Sequence, residues 1–225
     1  MLGREVGSGL CDIVDLGIVP YVDAWQLQKQ LATRRAAGDI PDTLLLLEHP
    51  HTYTLGSRGK REHLLVPQSE LAAQAIPVLD VDRGGDITYH GPGQLVVYPI
   101  LWLKGYDVGI VQYLRLLEAV LIELCTSYDL TAERIRGYTG AWAGDTKVAA
   151  IGAKVDVHGI TRHGCALNVN TDLRYFDKIV PCGIRDRGVT SLAQLLGHPV
   201  AMDEVKVRFV QAFDQVFEQY IGRQG

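Results

Sequence analysis

Cysteine is scarce in this sequence. The four present, Cys11, Cys125, Cys165 and Cys182, lie far apart with no C-x-x-C pair among them, which argues against a disulfide-stapled secreted scaffold. In a reducing compartment most of them are expected to be small buried hydrophobes. An excess of positive charge is also missing: 22 lysines and arginines stand against 26 aspartates and glutamates, a net charge of −4. Binding to a phosphate backbone normally requires a basic surplus, so nucleic acid is set aside as the main partner. Long apolar runs are absent as well. The longest uncharged stretch, Ile87 to Leu103, is interrupted by Gly91-Pro92-Gly93 and Pro99, short of the ~20 continuous apolar residues of a membrane span. The first ten residues, MLGREVGSGL, hold no apolar segment behind a basic patch and include Glu5. No signal or transit peptide is expected, and the expected location is the cytoplasm.

What is present is a balanced composition, 47% hydrophobic and 21% charged, enough to bury a full-sized core in one domain spanning residues 1–225. Apolar residues recur at helical spacing from Val108 to Tyr128, where Val111, Leu114, Leu117, Leu121 and Leu124 form a stripe, and from Asp203 to Tyr220. A third helix is expected over Val22 to Ala37. Strand-like runs occur at Cys11 to Gly17, Thr43 to Glu48, Ile76 to Val81, Leu95 to Leu101, Lys147 to Val157 and Ile160 to Val169. The last two are joined by Asp156-Val157-His158-Gly159, which reads as a hairpin turn. The strands cluster and do not alternate strictly with helices. The expected fold is therefore an α/β (α+β) domain with a mixed, mainly antiparallel sheet flanked by helices, not a doubly wound nucleotide fold.

Three segments can carry chemistry. Arg83 to Gln94, RGGDITYHGPGQ, concentrates glycines with Arg83, Asp86, Thr88, Tyr89 and His90. Glycines let backbone approach a ligand and the polar side chains offer donors, so both a binding loop and a pair of tight turns remain open. No G-K-[ST] follows, and the glycine spacing is not that of a dinucleotide site. In KVAAIGAKVDVHG, from Lys147, strict alternation puts Lys147 on one face with Ala149, Ile151, Ala153 and Val155. A lysine facing inward there finds a partner or loses its proton, unless the strand starts later and the side chain reaches solvent. Cys182 lies between Pro181 and Gly183. A thiol in such a rigid turn is either structural or a nucleophile, and the nucleophile needs a neighbouring cation or base. Lys147 is the candidate for that role, with Arg185 and Arg187 as local competitors. Cys165 reads as strand core on the face of His163, Leu167 and Val169. Glu48-His49-Pro50-His51 offers ligand types but no recognised metal spacing, so no metal is expected.

Five segments occurring in order resemble the lipoyl(octanoyl) transferase family, also called lipoate-protein ligase B: EHPHTYTLGSRGK from Glu48, RGGDITYHGPGQLVVYPI from Arg83, KVAAIGAKV from Lys147, HGCALNVNTDL from His163, and PCGI with GVTSL between Pro181 and Leu192. The resemblance implies the biotin/lipoyl protein ligase-like fold. It also implies transfer of an octanoyl group, without cofactor, from octanoyl-acyl carrier protein to the lysine of lipoyl domains of 2-oxo acid dehydrogenases and the glycine cleavage H protein. Cys182 would carry the acyl group as a thioester, and Lys147 would activate it and move protons. The implied acyl pocket comprises Arg83, Gly84, Gly85, Asp86, Ile87, Thr88, Tyr89 and His90, then Ala150, Ile151 and Gly152, then Gly164, Cys165 and Ala166. Ligases of that fold use ATP, but their G-R-R-x-x-G-G-G type loop is missing here. Arg58, Lys60 and Arg61 supply a candidate basic rim for an acidic carrier protein.

Overall fold

The computed structural model describes residues 9–181 and 187–222. Its centre is the strand Thr43–Glu48 (β2), buried at every position but the last. A strand apolar on both faces needs cover on both. Leu44 and Leu46 accordingly join the main core, while Leu45 and Leu47 join a smaller cluster on the opposite face with Ala24. Strand β1 (Asp12–Ile18) runs parallel to β2, and β6 (Gln94–Ile100) pairs antiparallel on its other side. The antiparallel ladder continues through β10 (Thr161–Asn168), β9 (Thr146–Val155), β8 (Tyr138–Ala143) and β7 (Glu133–Ile135). A two-residue strand, β11 (Gly188–Val189), lies parallel to the start of β9. A smaller sheet sets β3 (Thr52–Leu55) between β4 (Val78–Asp80) and β5 (Ile87–His90).

Helix α1 (Tyr21–Ala37) covers the face of Leu45 and Leu47 and ends at Gly38, whose φ of 82° lets its N–H turn back to Arg35 O. The opposite face is covered by α3 (Ile110–Thr126) and α5 (Met202–Gly222), with short α2 (Gln68–Ala73) and α4 (Leu192–Leu196) elsewhere. Phe209, Phe213 and Phe217 recur every four residues on α5 and are fully buried, each burial worth roughly 1.5–3 kcal/mol. Among the described residues no helix is long and apolar enough to cross a membrane.

The mixed, mainly antiparallel sheet and its flanking helices agree with expectation, and the three long helices begin and end within two residues of the expected bounds. The hairpin after β9 is present too: the Asp156 carboxylate accepts from the backbone N–H groups of His158 and Ile160, and Gly159 takes a φ of 87°. Strands β3, β5, β7, β8 and the short β11 were not anticipated. Ile87–His90 is embedded among glycines, and Tyr138–Ala143 reads YTGAWA, so neither shows a strand period of its own; pairing to β3 and β9 supplies what local propensity lacks.

Two side chains lie on the opposite face from the one alternation predicts. Ala141 pairs with Ala149, but Trp142 pairs with Lys147, leaving Val148 as an extra residue in β9. This bulge turns both Val148 and Ala149 into the main core and moves Lys147 from the face of Ala149 to that of Ala150. In β10, His163 adopts a φ of 55°. Its ring consequently leaves the face of Cys165 and Leu167 and packs against α1, with Tyr21 and Trp25.

Candidate active site

On the α1 side of the large sheet, the central strands and the glycine-rich segment enclose a chamber. Thr88 and His90 of β5, Val96 and Tyr98 of β6, Ala150 and Gly152 of β9, and Gly164 and Ala166 of β10 line it, closed by Tyr21. Ile151, Cys165, Arg83, Gly85 and Asp86 also contribute. Period-two alternation in β5 explains which expected residues lie elsewhere: Ile87 and Tyr89 point away, into a cluster with Tyr53, Leu55 and Phe176. Gly84 lines an outer groove instead. Tyr21, Val96, Tyr98 and His163 are not among the residues expected to line the pocket. The alternation of Val96 and Tyr98 in β6 was a usable signal; the other two depend on α1 docking and on the unusual backbone of His163.

Apart from the Thr88 hydroxyl, the polar side chains in and behind the chamber wall are largely paired with one another or with backbone. Arg83 is not offered to a ligand as a bare cation, for its guanidinium donates to Thr54 Oγ1 and to the carbonyls of Thr54, Gly84 and Asp86. It thereby fixes the glycine-rich segment from within. His49 has Nδ1 against Val19 O at 2.7 Å, which requires the proton there, and its Nε2 accepts from Tyr98 at 2.8 Å. His90 donates from Nδ1 to Gln94 Oε1 at 2.8 Å. His163 Nε2 donates to Asp82 at 2.9 Å, leaving Nδ1 to face Tyr21. Asp82 also gathers Trp25, Lys154 and Arg162, and the His163 hydrogen bond leads the causes that hold it below the usual carboxylate range.

Burial dominates the titration of these groups. It lowers His49 to about 4, pushes His90 well below its ordinary value and lowers His163. Tyr21 rises to about 12 and Tyr98 rises well above its ordinary value for the same reason. At neutral pH the chamber wall is therefore uncharged except where Arg83 and Asp86 meet the backbone.

Glycine is required at two points of the wall by close packing. A Cβ at Gly164 would lie 2.2 Å from Val97 O, and one at Gly152 would lie 2.9 Å from Gly84 O. These glycines bring strand and loop backbones together, a role distinct from ligand approach.

A small junction adjoins the chamber at Thr88, Ala150 and Ala166, which line both. The junction is completed by Gln94, Lys147, Asn168, Phe176, Pro181 and Val189. Lys147, only 6% exposed, also borders an outer groove formed by Arg58, His63, the 84–86 loop, Ile110 and Leu114 of α3, and residues 137–139. Its Nζ lies 4.7 Å from the centre of the Trp142 ring. Thr190 N donates to Lys147 O, so the segment returning from residue 187 is tied alongside this lysine.

Cys182 and Arg185 lie outside the described residues. Arg187 donates to Asp145 at 2.5 Å and stacks over Tyr138 and Trp142. Cys11, Cys125 and Cys165 are buried, and burial pushes Cys125 and Cys165 up to about 12 and Cys11 higher still. All three remain thiols at neutral pH. In the rim expected to be basic, Arg61 is paired with Asp80 and Lys60 with Glu62, while Arg58 faces the groove.

Residues 20–214 match the lipoyl protein ligase A/B catalytic domain family. An octanoyltransferase of Chloroflexus aggregans is 47% identical over 208 residues, 92% of this chain and 94% of that one. Among solved structures, a lipoate-protein ligase A bound with ATP superposes with a TM-score of 0.72 at 19% identity, covering 100% of this chain and 94% of the other. The biotin protein ligase of Aquifex aeolicus, in complex with biotin and ATP, gives a TM-score of 0.59 at 13% identity over 93% of this chain and 72% of the other. The shared architecture is that of the biotin and lipoyl ligases.

Proposed function

The chain belongs to the octanoyltransferases of the lipoyl protein ligase A/B catalytic family, and from that premise we propose that it transfers an octanoyl group from the thioester of an acyl carrier protein to the lysine of a lipoyl domain. Cys182 carries the acyl group between the two, and Lys147 moves the protons. One observation supports this reading above the others: Lys147 and Pro181, the residue preceding Cys182, line a single cavity that shares Thr88, Ala150 and Ala166 with the largely apolar chamber.

The steps balance without a nucleotide. Lys147, as the amine, takes the Cys182 proton, and the thiolate sulfur bonds to the octanoyl carbonyl carbon. The carbon–sulfur bond to pantetheine breaks, and its thiolate takes the proton from the Lys147 ammonium. The acceptor amine then attacks the Cys182 thioester and gives its proton to Lys147. Collapse expels the Cys182 thiolate, which recovers that proton. One thioester is exchanged for another at little cost, and amide formation makes the second step downhill. The arms arrive from the outer groove, where Arg58 offers positive charge to an acidic donor.

Incubation with octanoyl-carrier protein should add one octanoyl mass to the intact chain, and adding a lipoyl domain should discharge it. Cys182→Ala should abolish both the adduct and the transfer while leaving the melting temperature unchanged. Octanoylation of the lipoyl domain by Cys182→Ala at near wild-type rate would refute the assignment.

A further inference from the structure

Both half-reactions place negative charge on the octanoyl carbonyl oxygen, and a base alone does not stabilise it. The junction holds two polar side chains with spare donors. Asn168 is 4% exposed and paired with Gln94 across β6 and β10. Gln94 Nε2 donates to Asn168 Oδ1 at 3.0 Å, which fixes which end of the amide is oxygen. Asn168 Nδ2 gives one proton to Thr190 O at 3.0 Å, and its second has no acceptor among the described residues. Gln94 is itself fully engaged, through His90, Tyr89 and Asn168. Thr88 is 7% exposed, and its hydroxyl makes no hydrogen bond among the described residues. Both residues line the junction, where a donor proton not spent inside the fold is available to a ligand.

The placement fits the reacting atom. Thr88 borders both chamber and junction, so an acyl chain lying in the chamber passes it as its carbonyl reaches Lys147. We infer that Asn168, through its second Nδ2 proton, and Thr88, through its hydroxyl, receive the tetrahedral oxyanion and are catalytic residues of the transfer. This rests on the octanoyl-transfer reading above. In each half-reaction the sulfur or nitrogen adds to the carbonyl carbon and the C=O pair moves onto oxygen facing these donors. The pair returns when the leaving sulfur departs.

The test measures octanoyl mass gain on the intact protein, at varied concentrations of octanoyl-pantetheine thioester, for wild type, Thr88→Val and Asn168→Ala. Removing an oxyanion donor costs on the order of 100-fold in rate. Thr88→Val gives up no internal hydrogen bond, so its melting temperature should match wild type while its saturating rate falls at least tenfold. Asn168→Ala should fall about 100-fold, with KM within about threefold in both variants. A dithioester donor, whose C=S sulfur accepts hydrogen bonds poorly, should be penalised more strongly by wild type than by Thr88→Val. Saturating rates within threefold of wild type, a change confined to KM, or an equal dithioester penalty in both proteins would overturn the inference. If Asn168→Ala does not melt cooperatively, Thr88→Val decides alone. Wild type that gains no octanoyl mass would instead refute the transfer itself.

Discussion

The floor of the chamber is set by Tyr98 and His163 of its lining, hydrogen-bonded to His49 and Asp82 respectively behind it, and burial keeps the imidazoles neutral. At the junction, Thr88 and Asn168 retain donors, and Lys147 stands beside them. Both regions are rich in polar residues, yet only one leaves them available. An apolar chain tolerates a polar wall whose atoms are satisfied and uncharged, because nothing in the wall then loses a water partner when the chain enters. A reacting carbonyl needs the opposite.

Removing the proton carrier should break this contrast most severely. Lys147→Met keeps the stem against Trp142 and loses the amine, so octanoyl gain on Cys182 at neutral pH should fall about 1,000-fold. A rate within tenfold of wild type would remove Lys147 from the mechanism. The neutrality of the floor is tested next by acid. His49 falls from its ordinary value of 6.5 to about 4 in the folded chain. Between those values the unfolded chain binds the proton and the folded chain does not, so stability is fully present above pH 6.5 and is lost as the pH drops toward 4. The loss from His49 alone should approach about 3 kcal/mol, and His90 and His163 act in the same direction. Urea midpoints at pH 7.5, 6 and 5 measure it, and a flat profile would show that the floor is not held neutral. The smallest effect concerns chain length. Ala166 lines both regions, so Ala166→Leu should slow acylation by an octanoyl donor about tenfold, a penalty of ~1.4 kcal/mol, while sparing a butyryl donor. Equal slowing of both donors would mean that the chamber does not hold the acyl chain.

Legibility in the sequence followed the strength of local patterns. The leucines of Thr43–Glu48, the stripes of α3 and α5 and the Asp156 to Gly159 turn could each be read in place. Strand β5 could not, because its four residues sit among glycines whose pairing to β3 is a long-range event. For the candidate site, the motifs pointed to Thr88, His90, Lys147, Ala150, Gly152 and Ala166, which line the chamber or the junction. Ile87 and Tyr89 came along with the motif but face another cluster. Tyr21 carried no local signal and arrives with a docked helix, while His163 stood in a motif but on the core face, and its place in the site comes from a left-handed backbone held by Asp82 and Gln28.

The sequence by itself determined the family, the main elements and the residue types available for acyl chemistry, because hydrophobic period and ordered motifs are local properties of the chain. Only the tertiary structure decided which face each side chain serves. One extra residue at Val148 rotates Lys147 out of the core side and into the junction with Asn168 and Thr88. A bulge of that kind arises from how β8 and β9 pair, and pairing between strands is fixed by the assembled sheet and not by either strand alone.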